Sequence, residues 1–122
     1  MDERIEQALA QDETIDITTI GRKSGQPQRI EIWFRRVNGR IYITGTPGLR
    51  DWYANLLAHP YFTFHLKQSI RADLPARAHI IQDEAERRQI LANPVMAWYH
   101  QQVTSLEELV AGSPLVEVLF VD

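Results

Sequence analysis

The sequence of 122 residues predicts an α+β fold built on a small β-barrel of about six mostly antiparallel strands, with two to four short helices. Three observations carry this. Short segments alternate apolar and polar residues with period two. Tight turn signals rich in Gly, Pro and Asn separate them. Helical patterns fall between the strands without regular strand–helix alternation, which excludes a doubly wound parallel sheet. Closing such a small sheet into a barrel removes exposed edges.

Taken in order, residues 3–9 read as a short helix. Residues 14–20 alternate Ile15 and Ile17 with Asp16 and Thr18 and read as the first strand. Residues 21–27 form a polar turn. A second strand follows over 28–36, with Ile30, Ile32 and Phe34 predicted inward. Asn38-Gly39 is a strong hairpin signal and leads into a third strand over 40–44. These three strands are expected to form an antiparallel meander. Gly45 to Gly48 is a second glycine turn. Residues 50–58 carry Trp52 and Leu56 on one helical face, and His59-Pro60 stops that helix. Strands are expected at 61–66 and at 69–81, the latter bent or bulged near Leu74-Pro75. Asp83 is a plausible N-cap for a helix to Leu91, helices over 94–102 and 105–110 follow, and 115–121 is a final apolar strand.

The composition narrows the function. The chain is 44% hydrophobic and 24% charged, which suits one globular domain over 1–122. A net charge of −3 supplies no basic field to gather nucleic acid. The chain has no cysteine, which excludes disulfides, thiolate metal ligands and a cysteine nucleophile. The first residues are polar and no apolar run is long enough to span a bilayer, so a cytoplasmic location is expected. The four histidines show no zinc-like spacing, so no metal site is expected. The charged run 83–88 reads as a solvated helix face.

Two glycine turns are candidate anion sites. The first carries Arg22, Lys23, Ser24 and Arg29 within eight residues. Turn amides beside a guanidinium and an ammonium match a phosphate or carboxylate, and an ordinary solvated turn has the same composition. The second, Thr44-Gly45-Thr46-Pro47-Gly48, feeds a helix at Arg50 and presents N–H and hydroxyl donors. It also reads as a plain strand-to-helix connection. Trp33 falls on the polar phase of its strand, which places an aromatic face on a second apolar layer, a dimer interface or a ligand. Trp52 reads more simply as core. With no protein nucleophile or paired acid and base in view, a cofactor that brings its own chemistry is favoured.

The ordered combination of Thr18-Thr19-Ile20-Gly21-Arg22-Lys23-Ser24-Gly25-Gln26-Pro27, the strand Arg29 to Phe34, and Trp52-Tyr53-Ala54-Asn55-Leu56 resembles the deazaflavin-dependent nitroreductases, also called F420H2-dependent quinone reductases. The resemblance implies a split β-barrel that binds coenzyme F420 along the second and third strands. It implies that Arg22, Lys23 and Ser24, with Gln28 and Arg29 adjoining, contact the charged tail. Ile30, Glu31, Ile32 and Trp33 would run beside the deazaflavin. Thr44, Gly45, Thr46, Gly48 and Arg50 would hold the phosphate region, with Trp52 in the following helix. Family members often carry a longer loop here, and Pro47 takes the place of its lysine, so the resemblance implies that this cationic contact is either missing or supplied by Arg50. Trp33, Trp98 and Tyr99 would wall a pocket for a small acceptor, a quinone or nitro-compound. FMN is the alternative cofactor. A flavin- or haem-binding module without turnover and a structural homodimer are the alternative functions.

Overall fold

A computed structural model describes residues 1–121. The chain runs α1 (Glu3–Gln11), β1 (Thr14–Ile20), β2 (Pro27–Trp33), β3 (Arg35–Val37), β4 (Arg40–Thr44), α2 (Asp51–Ala58), β5 (Tyr61–Leu66), β6 (Ala72–Ile80), α3 (Glu84–Leu91), a 3₁₀ turn (Pro94–Met96), α4 (Ala97–Gln101), α5 (Leu106–Gly112) and β7 (Leu115–Phe120). The predicted α+β split barrel is observed. One seven-stranded sheet has the order β2-β1-β5-β6-β7-β4-β3, and every neighbouring pair is antiparallel.

The sequence expectation of one long second strand is corrected. It breaks at Phe34 into β2 and β3, which occupy opposite ends of the sheet. Because one residue joins those ends, the sheet must curl until they meet. Phe34 turns into the core, and its N–H donates to Glu13 O (3.0 Å) instead of to a strand partner. The expected three-strand meander is corrected with it: β4 pairs with β3 and β7, while β2 pairs with β1. The turn chemistry of the hairpin held. Val37 faces Arg40 across Asn38 (φ 52°) and Gly39 (φ 79°), both in the left-handed region that a two-residue primed turn requires.

No bulge occurs at Pro75. The β5–β6 register runs through it without a slip, and Pro75 lies past the last β7 partner of β6. Its missing N–H costs nothing there, and its carbonyl accepts from Val121 N (3.0 Å).

Two apolar clusters hold the fold. Ile15, Ile17, Phe64 and Leu66 face each other inside the barrel with Ile43 and Val116. A second cluster of Ile81, Leu91, Met96, Tyr99, Leu109 and Leu115 seals the layer of helices α3–α5. Full burial of each such side chain stabilises by about 1.5–3 kcal/mol. Asp83 and Asn93 cap their helices, accepting from Glu86 N (3.0 Å) and Val95 N (2.9 Å). The charged run of α3 is not wholly solvated. Arg87 is buried and donates to the carbonyls of Ile81, Leu109, Val110 and Ser113, tying α3 to the C-terminal end of α5. Spacing alone cannot separate Arg87 from its half-buried neighbour Arg88. No described helix is long and apolar enough to cross a membrane.

Candidate functional site

The barrel is open along one seam. Glu31, Ile32 and Trp33 pair with β1 on one side, and Ile43 and Thr44 pair with β7 on one side. No strand pairing joins β2 to β4 among the described residues. Two strand edges therefore face each other with backbone groups free for another partner. A cleft of about 280 Å³ lies at this seam, lined by Glu31, Ile32, Trp33, Thr44, Gly45, Thr46, Arg50, Trp98 and Tyr99.

One wall of this cleft is aromatic. Trp33 and Trp98 meet edge to face at 5.4 Å, and Trp98 meets Tyr99 the same way at 5.2 Å. Both tryptophans remain about two-fifths exposed, Trp33 at 40% and Trp98 at 44%. The Arg35 guanidinium packs over both Trp33 (5.2 Å) and Tyr99 (5.4 Å) and fixes their spacing. Arg35 was absent from the sequence-level candidates, because nothing local shows that β3 carries it back against α4. Burial raises the Tyr99 phenol above its ordinary pKa, with Arg35 pulling the other way. The Glu31 carboxylate is held by the Lys67 ammonium, which also bonds Asp16 (2.6 Å).

A second, larger cleft of about 960 Å³ lies between α2 and the α5–β7 connection. Its lining includes Arg22, Gly48, Leu49, Arg50, Tyr53, Leu57 and Pro114. Arg50 lines both clefts. Its guanidinium donates to Thr46 O (3.0 Å), Thr46 Oγ1 (2.9 Å) and Leu49 O (3.2 Å), so it also shapes the loop that separates them. Gly48 sits at φ 133°, a conformation L side chains rarely adopt, and its N–H donates to Gly112 O (3.2 Å).

The first glycine turn folds onto α2. Gly21 N donates to Gln26 O and Gly25 N to Gly21 O, both at 2.9 Å. A Cβ on Gly21 would lie 2.5 Å from Ser24 Oγ and 2.9 Å from Gln28 Nε2, so a larger residue there would have to displace those two side-chain ends. Arg22 then points toward the larger cleft, with Nη2 3.4 Å from the exposed Asp51 carboxylate.

The structure thus separates the sequence candidates. Glu31, Ile32, Trp33, Thr44, Gly45, Thr46, Arg50, Trp98 and Tyr99 come together at the seam, and Arg22 and Gly48 join Arg50 in the adjoining cleft. Lys23, Ser24, Gln28, Arg29 and Ile30 line neither cleft. Arg29 is paired with Asp16 (2.9 Å), and Ile30, expected inward, is 38% exposed because β2 borders the open seam. Trp52 is buried in the barrel core and lines neither cleft. Thr44 borders the seam cleft, but its hydroxyl donates to Pro114 O (2.6 Å) and is not free to donate to a ligand.

A family model described as F420H(2)-dependent quinone reductase matches residues 2–109. The chain belongs to that family. Solved structures with the same fold include a putative 5-nitroimidazole antibiotic resistance protein from Bacteroides thetaiotaomicron. It is 14% identical, with a TM-score of 0.74 over 100% of this chain and 81% of that one. An F420 reductase is 18% identical, with a TM-score of 0.67 over 100% of this chain and 97% of that one. The haem storage protein of Vibrio cholerae is 13% identical, with a TM-score of 0.66 over 99% of this chain and 90% of that one. These likenesses concern the fold; membership of the quinone reductase family comes from the match over residues 2–109.

Proposed function

We propose that the seam cleft holds the deazaflavin ring of coenzyme F420 and that the protein uses it to reduce a small acceptor such as a quinone or nitro-compound. One observation carries this reading: an aromatic-walled opening between two unpaired strand edges shares Arg50 with a larger cleft edged by Arg22. A flat heterocycle with polar edges and an anionic tail needs that sequence of surroundings. The residues present fit the group. The free edges of Glu31–Trp33 and Thr44 offer backbone partners to a ring edge, Trp33 offers a stacking face, and Arg50 and Arg22 offer charge to the tail.

When bound, the reduced cofactor supplies the hydride. The chain's own work is to bind, orient and exclude water. Trp33 and Trp98 wall the side from which an acceptor approaches, and Arg35 holds Trp33 in place. The Lys67 ammonium holds the Glu31 carboxylate at the rim of the cleft.

Titration with F420 tests the placement. Replacing Arg22, Lys23 and Thr46 together is expected to weaken binding strongly, and unchanged affinity would remove the tail from this region. A binding protein without turnover is the second reading. It is favoured by the Tyr99 phenol in the seam cleft, which burial pushes above its ordinary pKa and so away from donating a proton near neutrality. Steady-state oxidation of the reduced cofactor by quinone and nitro acceptors separates the two. FMN, the alternative cofactor, is tested in the same titration. A homodimer over the exposed Trp33 and Trp98 would register as a doubled mass by light scattering.

A further inference from the structure

Asn55 lies on α2, away from both clefts, yet it is 1% exposed and makes four hydrogen bonds to the segment that carries Arg22. Its Oδ1 accepts from the backbone N–H and from Nη1 of Arg22, each at 3.1 Å. Its Nδ2 donates to Thr19 Oγ1 (3.2 Å) and Gln28 Oε1 (3.0 Å). One amide therefore joins both stems of the Gly21–Gln26 turn. It also fixes the first and last groups of the Arg22 residue with one oxygen.

That arrangement exceeds what turn stability needs. The turn already closes on itself through the Gly21–Gln26 and Gly25–Gly21 backbone bonds, and Gln26 N is capped by Ser24 Oγ (3.1 Å). What Asn55 adds is a fixed direction for a long side chain that otherwise samples many rotamers. Nη1 is anchored, while Nη2 has only the long contact to exposed Asp51. A guanidinium held in this way meets an anion without first losing its rotamer freedom.

We infer that Asn55 is a positioning residue for anion recognition, holding Arg22 so that its free edge meets the phosphate or carboxylate groups of the ligand's tail. This rests on the reading of the larger cleft as the tail site. Asn55 does not touch the ligand; it acts through Arg22.

The test compares two probes by calorimetry: F420, and the same deazaflavin lacking the phosphate and tail. Wild-type protein is expected to prefer F420. Arg22→Ala is expected to reduce that preference about tenfold, the scale of one charge-assisted contact. Asn55→Ala is expected to reduce it by a similar factor while leaving affinity for the tail-less ring within about twofold, and the double variant is expected to lose no more than either single one, as coupled groups do. An Asn55→Ala protein that weakens both probes equally, or keeps the full preference, overturns the inference. If Arg22→Ala itself keeps the preference, the tail placement fails instead, and the two failures are distinct. Arg22→Lys carries the test where Asn55→Ala does not fold. It keeps a positive charge and the backbone bond but loses the anchored Nη1. Loss of most of the preference supports positioning, and full retention overturns it.

Discussion

Replacing Arg50 by Ala removes the one side chain common to both clefts. The wild-type guanidinium makes three hydrogen bonds within its own loop, to Thr46 O, Thr46 Oγ1 and Leu49 O, at 2.9–3.2 Å. Those to Thr46 are half-buried and that to Leu49 is exposed, so together they are worth about 1–2 kcal/mol of stability. For a domain of this size that corresponds to a fall in Tm of roughly 3–10 °C. On the proposed placement of the tail at Arg50, loss of its charge is expected to cost a further 1.5–3 kcal/mol of binding, or about 10–100-fold in Kd. The two effects are separable. Scanning calorimetry of the ligand-free protein reads the first, and F420 titration well below the new Tm reads the second. Arg50→Lys keeps the charge and loses the fork of donors, so it is expected to recover part of the affinity and little of the Tm. A protein whose Tm falls as expected while its Kd for F420 stays unchanged would refute the argument. Arg50 would then be a loop brace and the two clefts would not share a ligand.

Three other perturbations test separate parts of the structure. Asp16 is held below the usual carboxylate range by its hydrogen bond from Lys67, opposed next by burial and supported by Arg29. Because the folded pKa is depressed, the ionised Asp16 contributes stability above its unfolded value near 4 and loses it as pH falls through the lower folded value. Asp16→Asn is expected to cost about 1 kcal/mol in urea unfolding at pH 7 and progressively less below about pH 4; a cost that stays constant with pH would exclude the ion pair as its source. Phe64 is fully buried and meets both Phe34 (5.4 Å) and Phe120 (5.2 Å) edge to face, so Phe64→Ala is expected to lower stability by about 3–5 kcal/mol in denaturant titration. Arg35→Met removes the cation packed over Trp33 and Tyr99. A loss of about 1 kcal/mol is expected, with altered tryptophan emission and a raised KM for the acceptor; identical emission would show that Arg35 does not set the Trp33 wall.

Much of the local structure was legible along the chain. The alternation of β1, the positive φ angles at Asn38 and Gly39, and the cap at Asp83 all depend on residues within a few positions of each other. The aromatic character of the site was legible too, because Trp33 broke the apolar phase of its strand. The break at Phe34 was not. A continuous period-two pattern runs through it, and only the meeting of β2 with one end of the sheet and β3 with the other makes the bend necessary. The bonding roles of Arg87 and Asn55 escaped for a related reason: a polar residue on a short helix is ordinary until distant carbonyls or hydroxyls are brought to it.

By itself, the sequence determined the element types, the turns and the family signature, since each rests on backbone preferences or motifs that act over a few residues. The tertiary structure decided which strand edges stay unpaired and therefore where the candidate cleft opens. It also decided that Arg50 spans two clefts, that Thr44's hydroxyl is already used, and that Arg22 is anchored from a helix 33 residues away in sequence. Those outcomes follow from closure of the sheet, a long-range constraint that no window of neighbouring residues contains.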